Sequence, residues 1–233
     1  MVAGGSGVRF GGTKQFAVLG GLTVLERSVA AARSVAGWVV LVLPASPGGA
    51  APAPREPVGA DAVAVGGATR CASVRAGLAV MPPDVDLIVV HDAVRPLAGA
   101  ELFRAVVAAV AAGADAALPG CPVSETVKRI DQDGRVVETL ERDGLVLVQT
   151  PQAFRAGVLR SAHQDGPEAT DDAALVEAAG GRVVVVTGDP ANLKITHPHD
   201  LAVAEALLAA GIGVKAGTGD PAGPGDPAGA GES

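Results

Sequence analysis

Short apolar runs alternate with alanine-rich segments along most of this chain, and that alternation constrains the fold more than any other feature. The runs lie at residues 38–43, 61–65, 86–90, 114–118 and 182–186. They are apolar throughout rather than at every second position, the pattern of strands covered on both faces. Helix candidates separate them. One opens with Thr23 and Glu26 at capping-box spacing and continues to residue 35; the others lie at 73–81, 100–112, 171–179 and 200–210. Strands and helices in this order imply an α/β fold with a doubly wound, mainly parallel, Rossmann-like sheet. The 233 residues accommodate one such domain, expected over residues 1–212.

Three segments depart from the rhythm. Residues 123–130, the polar turn Asp131-Gln132-Asp133-Gly134 and residues 135–141 read as a β-hairpin. This arm, about residues 122–142, is expected to project from the domain, as a plain surface hairpin or as a dimerisation element. Near the end, Gly219-Asp220-Pro221-Ala222-Gly223 recurs as Gly225-Asp226-Pro227-Ala228-Gly229. Sequence this rich in glycine and proline cannot bury a core, so residues 213–233 are expected to be disordered. At the start, only Met1 and Val2 precede a glycine-rich loop that normally follows a buried strand of ~5 residues. Either the native start lies upstream, or a central strand is short and stability suffers.

Composition excludes some roles. A net charge of −7 argues against a nucleic-acid surface. No apolar run approaches the ~20 residues of a membrane helix, and no signal peptide is evident. Two cysteines, Cys71 and Cys121, form neither a disulfide framework nor a metal-ligand pattern. A reducing cytoplasm is the simplest compartment.

The residues that carry chemistry fall in three places. Ala3-Gly4-Gly5-Ser6-Gly7-Val8-Arg9, followed by Lys14, offers small residues whose backbone N–H groups can approach phosphate oxygens, with two cations beside them. A dinucleotide fingerprint would need glycine at Phe10, and a P-loop would need Gly-Lys-Ser/Thr where Gly12-Thr13-Lys14-Gln15 stands. A glycine-rich turn with two solvated cations is the plain alternative. His91-Asp92-Ala93-Val94-Arg95-Pro96 follows the strand at 86–90, where open α/β sheets bind ligands. Asp92 there suits Mg²⁺ or a ligand hydroxyl, or a turn or helix cap. Arg95 serves a substrate or fixes the loop. In Asn192-Leu193-Lys194-Ile195-Thr196 the lone lysine is held inward or points to solvent; taken alone, the segment favours solvent. Thr170 reads as a helix N-cap backed by Asp171 and Asp172. His197 and His199 make only a weak metal pair.

In this order the segments resemble the 2-C-methyl-D-erythritol 4-phosphate cytidylyltransferase family. The matching pieces are residues 3–9, Lys14-Gln15, Gly66-Gly67 with Arg70 and Ser73, residues 91–96, Glu125-Thr126-Val127-Lys128, Arg142, Thr150-Pro151-Gln152, Thr170-Asp171 and residues 192–196. The resemblance implies Mg²⁺ and CTP, with release of pyrophosphate. It implies that Ala3, Gly4, Gly5 and Gly7 line the triphosphate, and that Gly67, Ser73, Asp92 and Ala93 hold the nucleotide, Asp92 also serving the metal. Arg9, Lys14, Arg142 and Lys194 would be catalytic. Thr126, Arg142, Arg95, Thr150 and Thr170 would serve the substrate, the first two reaching a neighbouring subunit through a hairpin exchanged in a homodimer. The chain departs from the family pattern in its short segment between Arg9 and Lys14, at Thr13 where proline is usual, and at Ala68 where an acidic residue is common. A ribitol-5-phosphate cytidylyltransferase and an inactive nucleotide-binding module are the competing readings.

Overall fold

The computed structural model describes residues 1–3, 10, 12–44, 59–164 and 168–213. The expectations for Gly4, Gly5, Gly7 and Arg9, and for the tail beyond residue 213, lie outside the described residues.

A turn of 3₁₀ helix at Lys14–Phe16 leads into a small hairpin, β1 (Val18–Leu19) and β2 (Leu22–Thr23). The hairpin turns on Gly20 and Gly21, with φ of 53° and 83°. A two-residue hairpin loop of this kind needs positive φ at both central residues, which is cheap only for glycine. Helix α1 (Val24–Arg33) follows at once. The Thr23 hydroxyl accepts the Glu26 N–H at 3.1 Å, and the Glu26 carboxylate accepts the Thr23 N–H at 2.6 Å. The capping box read from the sequence is formed. Then come β3 (Val40–Leu43), β4 (Ala62–Val65), α2 (Arg70–Ala79), β5 (Leu87–Val90), α3 (Ala100–Ala111), β6 (Ala116–Pro122), β7 (Lys128–Ile130), β8 (Val136–Thr139), β9 (Val146–Val148), β10 (Gln152–Arg155), α4 (Ala156–Gln164), α5 (Asp172–Ala178), β11 (Val183–Thr187) and α6 (Pro198–Ala209).

β3 and β4 pair in parallel, as do β6 and β11, while β10 lies antiparallel between β5 and β6. Val2 makes parallel bridges to both Val42 and Asp92, and so joins the two halves of the sheet. The order is β4, β3, Val2, β5, β10, β6, β11, with one reversed strand in a sheet otherwise parallel along that path. Phe154 of β10 is wholly buried with Leu159 of α4 and Val176 of α5. Val106 and Val110 of α3 pack with Ala117 and Ala153. Among the described residues, no helix is long and apolar enough to cross a membrane.

All five expected strands are present, but two are not covered on both faces. Val63 and Val65 on β4 and Val185 on β11 are exposed. Each of these strands pairs with a single neighbour, so its apolar run reflects β propensity at a sheet border rather than full burial. The hairpin is also smaller than expected. Only Lys128–Ile130 and Val136–Thr139 pair, with an irregularity between Arg129 and Ile130. The Asp131 carboxylate closes its turn by accepting the N–H groups of Asp133 and Arg135. Beyond the hairpin, β9 returns to pair with the end of β6.

Candidate active site

The loops after β4, β5 and β11 meet at the carboxyl ends of these parallel strands, and Asp92 lies where they meet. Its carboxylate accepts a hydrogen bond from Lys194 Nζ at 2.7 Å. Arg70 Nε is 3.8 Å away and Arg95 Nε 4.0 Å. Burial alone would raise the Asp92 carboxyl, but Lys194, Arg70 and Arg95 together hold it below its ordinary value. Asp92 is therefore ionised at neutral pH. Lys194 keeps 43 % of its side chain exposed, yet its ammonium turns inward to this partner, against the solvent-facing orientation that its segment alone suggested.

A second layer fixes the Asp92 turn. The Thr150 hydroxyl accepts the Asp92 N–H at 3.0 Å and stands 3.1 Å from His91 Nδ1. The Arg95 carbonyl can only accept, so the proton of the neutral imidazole sits on Nε2 and Nδ1 is left to accept from this hydroxyl. Nε2 donates to that carbonyl at 3.3 Å. Burial lowers His91 to about 3, so it is neutral and serves as a clamp between β5 and the Arg95 turn. Arg95 Nη1 donates to the Asn192 carbonyl at 2.8 Å, and Asn192 Nδ2 donates to the Thr150 carbonyl at 2.9 Å. The Gln149 amide bonds both to Asp189 and to Asn192. This mesh aims the Lys194 segment at Asp92.

The nucleotide-facing residues expected from the sequence flank the same point. Gly67 precedes α2 so closely that a Cβ there would stand 2.4 Å from the Ala72 Cβ. Ser73 is buried and donates to the Thr69 carbonyl at 2.9 Å. Ala93 is buried, its N–H donated to Val2 and its carbonyl accepting from Ser28. Ala3 donates to Val42, and its carbonyl accepts from Gln15, which brings the Lys14 turn to the start of the glycine-rich loop. Thr126 and Arg142 sit on the exposed arm, where Arg142 Nη1 donates to the Ser124 carbonyl. Thr170 is exposed and does not cap α5. The cap is Asp171, which accepts the Ala174 N–H at 2.9 Å, because the helix begins one residue later than expected. His197 and His199 stack in solvent, and among the described residues no group of three His, Cys, Asp or Glu could hold a metal.

The site contains one ion-pair chain that sequence reasoning did not assign. Arg70 Nη1 lies 2.8 Å from Asp172, which is wholly buried and accepts from His163 at 2.9 Å. Arg70 thus links Asp92 to the packing of α4 on α5. One signal was visible: a cation in the first turn of a helix opposes the helix dipole, and needs a specific anion nearby. Arg95 Nε, Asn192 Oδ1 and Gln152 Oε1 are buried without hydrogen-bond partners among the described residues. Arg95 Nε, on the turn beside Asp92, suits a site that completes its bonding with a ligand.

Residues 1–210 match the family model of 2-C-methyl-D-erythritol 4-phosphate cytidylyltransferase (IspD). The chain belongs to this family. It is 45 % identical over 211 residues to the 2-C-methyl-D-erythritol 4-phosphate cytidylyltransferase of Frankia casuarinae, covering 89 % of this chain and 79 % of that one. It is 44 % identical over 223 residues to a bifunctional IspD/IspF enzyme of Clavibacter michiganensis, covering 91 % of this chain but 54 % of the relative. The chain therefore spans about half the length of that two-function relative. The solved cytidylyltransferase of Thermus thermophilus superposes with a TM-score of 0.74 at 41 % identity, over 88 % of this chain and 96 % of that one. Family membership accounts for the ordered set of segments that no single motif identified.

Proposed function

We propose that the chain transfers the cytidylyl group of CTP to 2-C-methyl-D-erythritol 4-phosphate, releasing pyrophosphate, as a step in isoprenoid precursor synthesis in the cytoplasm. One observation carries this reading. In a chain of net charge −7, three cations, Arg70, Arg95 and Lys194, converge on a buried, ionised Asp92 at the carboxyl ends of parallel strands. Such a concentration of positive charge suits two phosphorylated substrates.

In the reaction an oxygen of the substrate phosphate attacks the α-phosphorus of CTP in line with the departing pyrophosphate. No covalent nucleophile is needed; catalysis rests on positioning and on neutralising charge. Lys194 stands at the edge of the site and, turned from Asp92 toward the α-phosphate, offsets the charge that develops there. Lys14 and Arg9 would do the same from the other side. Arg95 Nε, 4.0 Å from Asp92 and making no hydrogen bond, would grip a phosphate or the substrate. The donor set suits Mg²⁺: hard oxygen from one ionised carboxylate, with triphosphate oxygens and water completing the shell. Asp92 would hold the ion, which neutralises triphosphate charge when bound.

The arm supports a homodimer. Ile130, Val136 and Val137 on the arm are each about 60 % exposed, apolar side chains that a partner subunit would cover. Thr126 and Arg142 on that arm would reach the substrate in the partner subunit. Sizing chromatography at micromolar concentration should give about twice the chain mass of 22.8 kDa.

The deciding assay follows pyrophosphate release with CTP, Mg²⁺ and either methylerythritol phosphate or ribitol 5-phosphate. Turnover with the first is expected. Turnover with the second alone would replace the proposed substrate, and CTP binding without turnover on either would mark an inactive module.

A further inference from the structure

Lys194 sits on a stretch without helix or strand. β11 ends at Thr187 and α6 begins at Pro198. A side chain on such a stretch is placed only as well as the stretch itself is held.

The first half of this loop is held by a side chain from elsewhere. Gln149 follows β9, and its backbone N–H donates to the Pro119 carbonyl of β6 at 2.8 Å. Val148 pairs with Gly120 on one edge of β6, and Thr187 pairs with Gly120 on the other. The Gln149 side chain therefore crosses the end of β6 to reach the loop after β11. There Nε2 donates to the Asp189 carbonyl at 2.8 Å, and Oε1 accepts the Asp189 N–H at 3.2 Å. These are the bonds that a neighbouring strand would supply to a residue. Oε1 also accepts from Asn192 Nδ2 at 3.2 Å. Both ends of the amide are thus engaged on the loop.

The loop is shaped to meet this side chain. The Gly188 N–H donates to the Gly120 carbonyl at 2.9 Å. A Cβ at Gly188 would stand 2.8 Å from Cys121 Sγ, 2.9 Å from the Gly120 carbonyl carbon and 3.1 Å from Gln149 Oε1, so glycine allows the close approach. From Asp189 the order is passed along the chain. The Asn192 N–H donates to the Asp189 carbonyl at 2.9 Å, and the Asn192 carbonyl accepts from Arg95 Nη1 at 2.8 Å. Lys194 follows two residues later. Beyond it, the Ile195 N–H donates to the Val94 carbonyl at 2.9 Å. The loop is anchored on both sides of Lys194, whose Nζ reaches Asp92 at 2.7 Å. The upstream anchor is the Gln149 amide.

We propose that Gln149 is a positioning residue for cytidylyl transfer. Its amide holds residues 189–192 so that Lys194 reaches the reacting phosphate. The inference rests on the role given to Lys194 under the proposed function.

The test is a double-mutant cycle on pyrophosphate release. Gln149→Leu removes the amide and keeps a side chain of similar size. It should lower kcat by about 10-fold, since misplacement by ~1 Å costs up to ~100-fold, and leave KM for CTP within about 2-fold. In the Lys194→Ala background the same substitution should lower kcat by less than about 2-fold, because the group it positions is gone. Gln149→Glu keeps the acceptor but sets a carboxylate against the Asp189 carbonyl; it should give the same pattern, and it serves if the leucine variant does not fold. Independently of turnover, Gln149→Leu should speed amide hydrogen exchange at Asp189 by at least about 10-fold. An unchanged kcat in the Gln149 variants, beside a lowered one in Lys194→Ala, would overturn the inference. So would an equal loss in both backgrounds, the mark of a general structural role, and so would unchanged exchange at Asp189. Full kcat in Lys194→Ala would instead remove Lys194 from the reaction, and the role of Gln149 with it.

Discussion

The clamp made by His91 predicts a pH dependence that can be isolated. Its imidazole is 2 % exposed and neutral, with a value lowered to about 3 by burial, against 6.5 for an ordinary histidine. Between pH 7 and pH 5 the unfolded chain takes up most of a proton on this residue and the folded chain takes up almost none. Stability is therefore fully present above the unfolded value and is lost as pH falls toward the folded one. At ~1.36 kcal/mol per proton per pH unit, the loss from His91 reaches about 2 kcal/mol at pH 5. That corresponds to roughly 4–8 °C in Tm for a domain of this size. The Met1 amino group, lowered to about 6, adds its own loss over the same interval. The comparison should thus be between the natural chain and His91→Gln, which shares that group. Glutamine can accept from Thr150 and donate to Arg95 without titrating. Calorimetry at pH 7 and pH 5 should show the variant losing about 2 kcal/mol less than the natural chain. Equal losses in both proteins would refute the neutral, buried clamp.

Three further substitutions probe separate parts of the site. Lys194→Ala should lower kcat for pyrophosphate release by about 100-fold or more, with little change in thermal stability, because its ion pair is partly exposed and worth at most ~1 kcal/mol; an unchanged kcat would remove Lys194 from the chemistry. Gly67→Ala forces a methyl against the Ala72 Cβ at 2.4 Å and should cost about 1–3 kcal/mol in urea denaturation while raising KM for CTP. If both quantities stay put, the close approach at the start of α2 is not required. Asp171→Ala should cost about 1 kcal/mol as a lost cap, whereas Thr170→Ala should stay within ~0.5 kcal/mol; the reverse order would return the cap to Thr170.

The parts of the fold that were legible in the sequence are those whose residues answer to a local rule. Each parallel strand is a continuous apolar run, and Thr23 with Glu26 makes its cap within one turn. β10 was not legible, although it occupies the centre of the sheet. It begins with Gln152 directly after Pro151, which reads as a boundary. Gln152 is nonetheless buried, its amide donating to Asp171 and to the Gln149 carbonyl. Only those tertiary partners allow glutamine there. The β1–β2 hairpin did have a local signal, Gly20-Gly21 between apolar residues, but its two-residue strands are too short for periodicity to register.

The active site divides along the same line. Asp92 and Arg95 could be nominated because they follow a strand end, and Lys194 because it interrupts an apolar segment. Their common purpose could not, since Lys194 and Asp92 are 102 residues apart and Asp92 and Thr150 are 58 apart. Arg70 shows what such distances conceal. Within α2 it is misplaced, a cation at the positive end of a helix. Beside Asp92 and the buried Asp172 it becomes the residue that ties the ligand-facing carboxylate to the core. A side chain that is unfavourable by its local rule is therefore a useful pointer to a long-range partner. By that criterion Arg70 belongs with Lys194 among the residues that set the charge at the centre of the site.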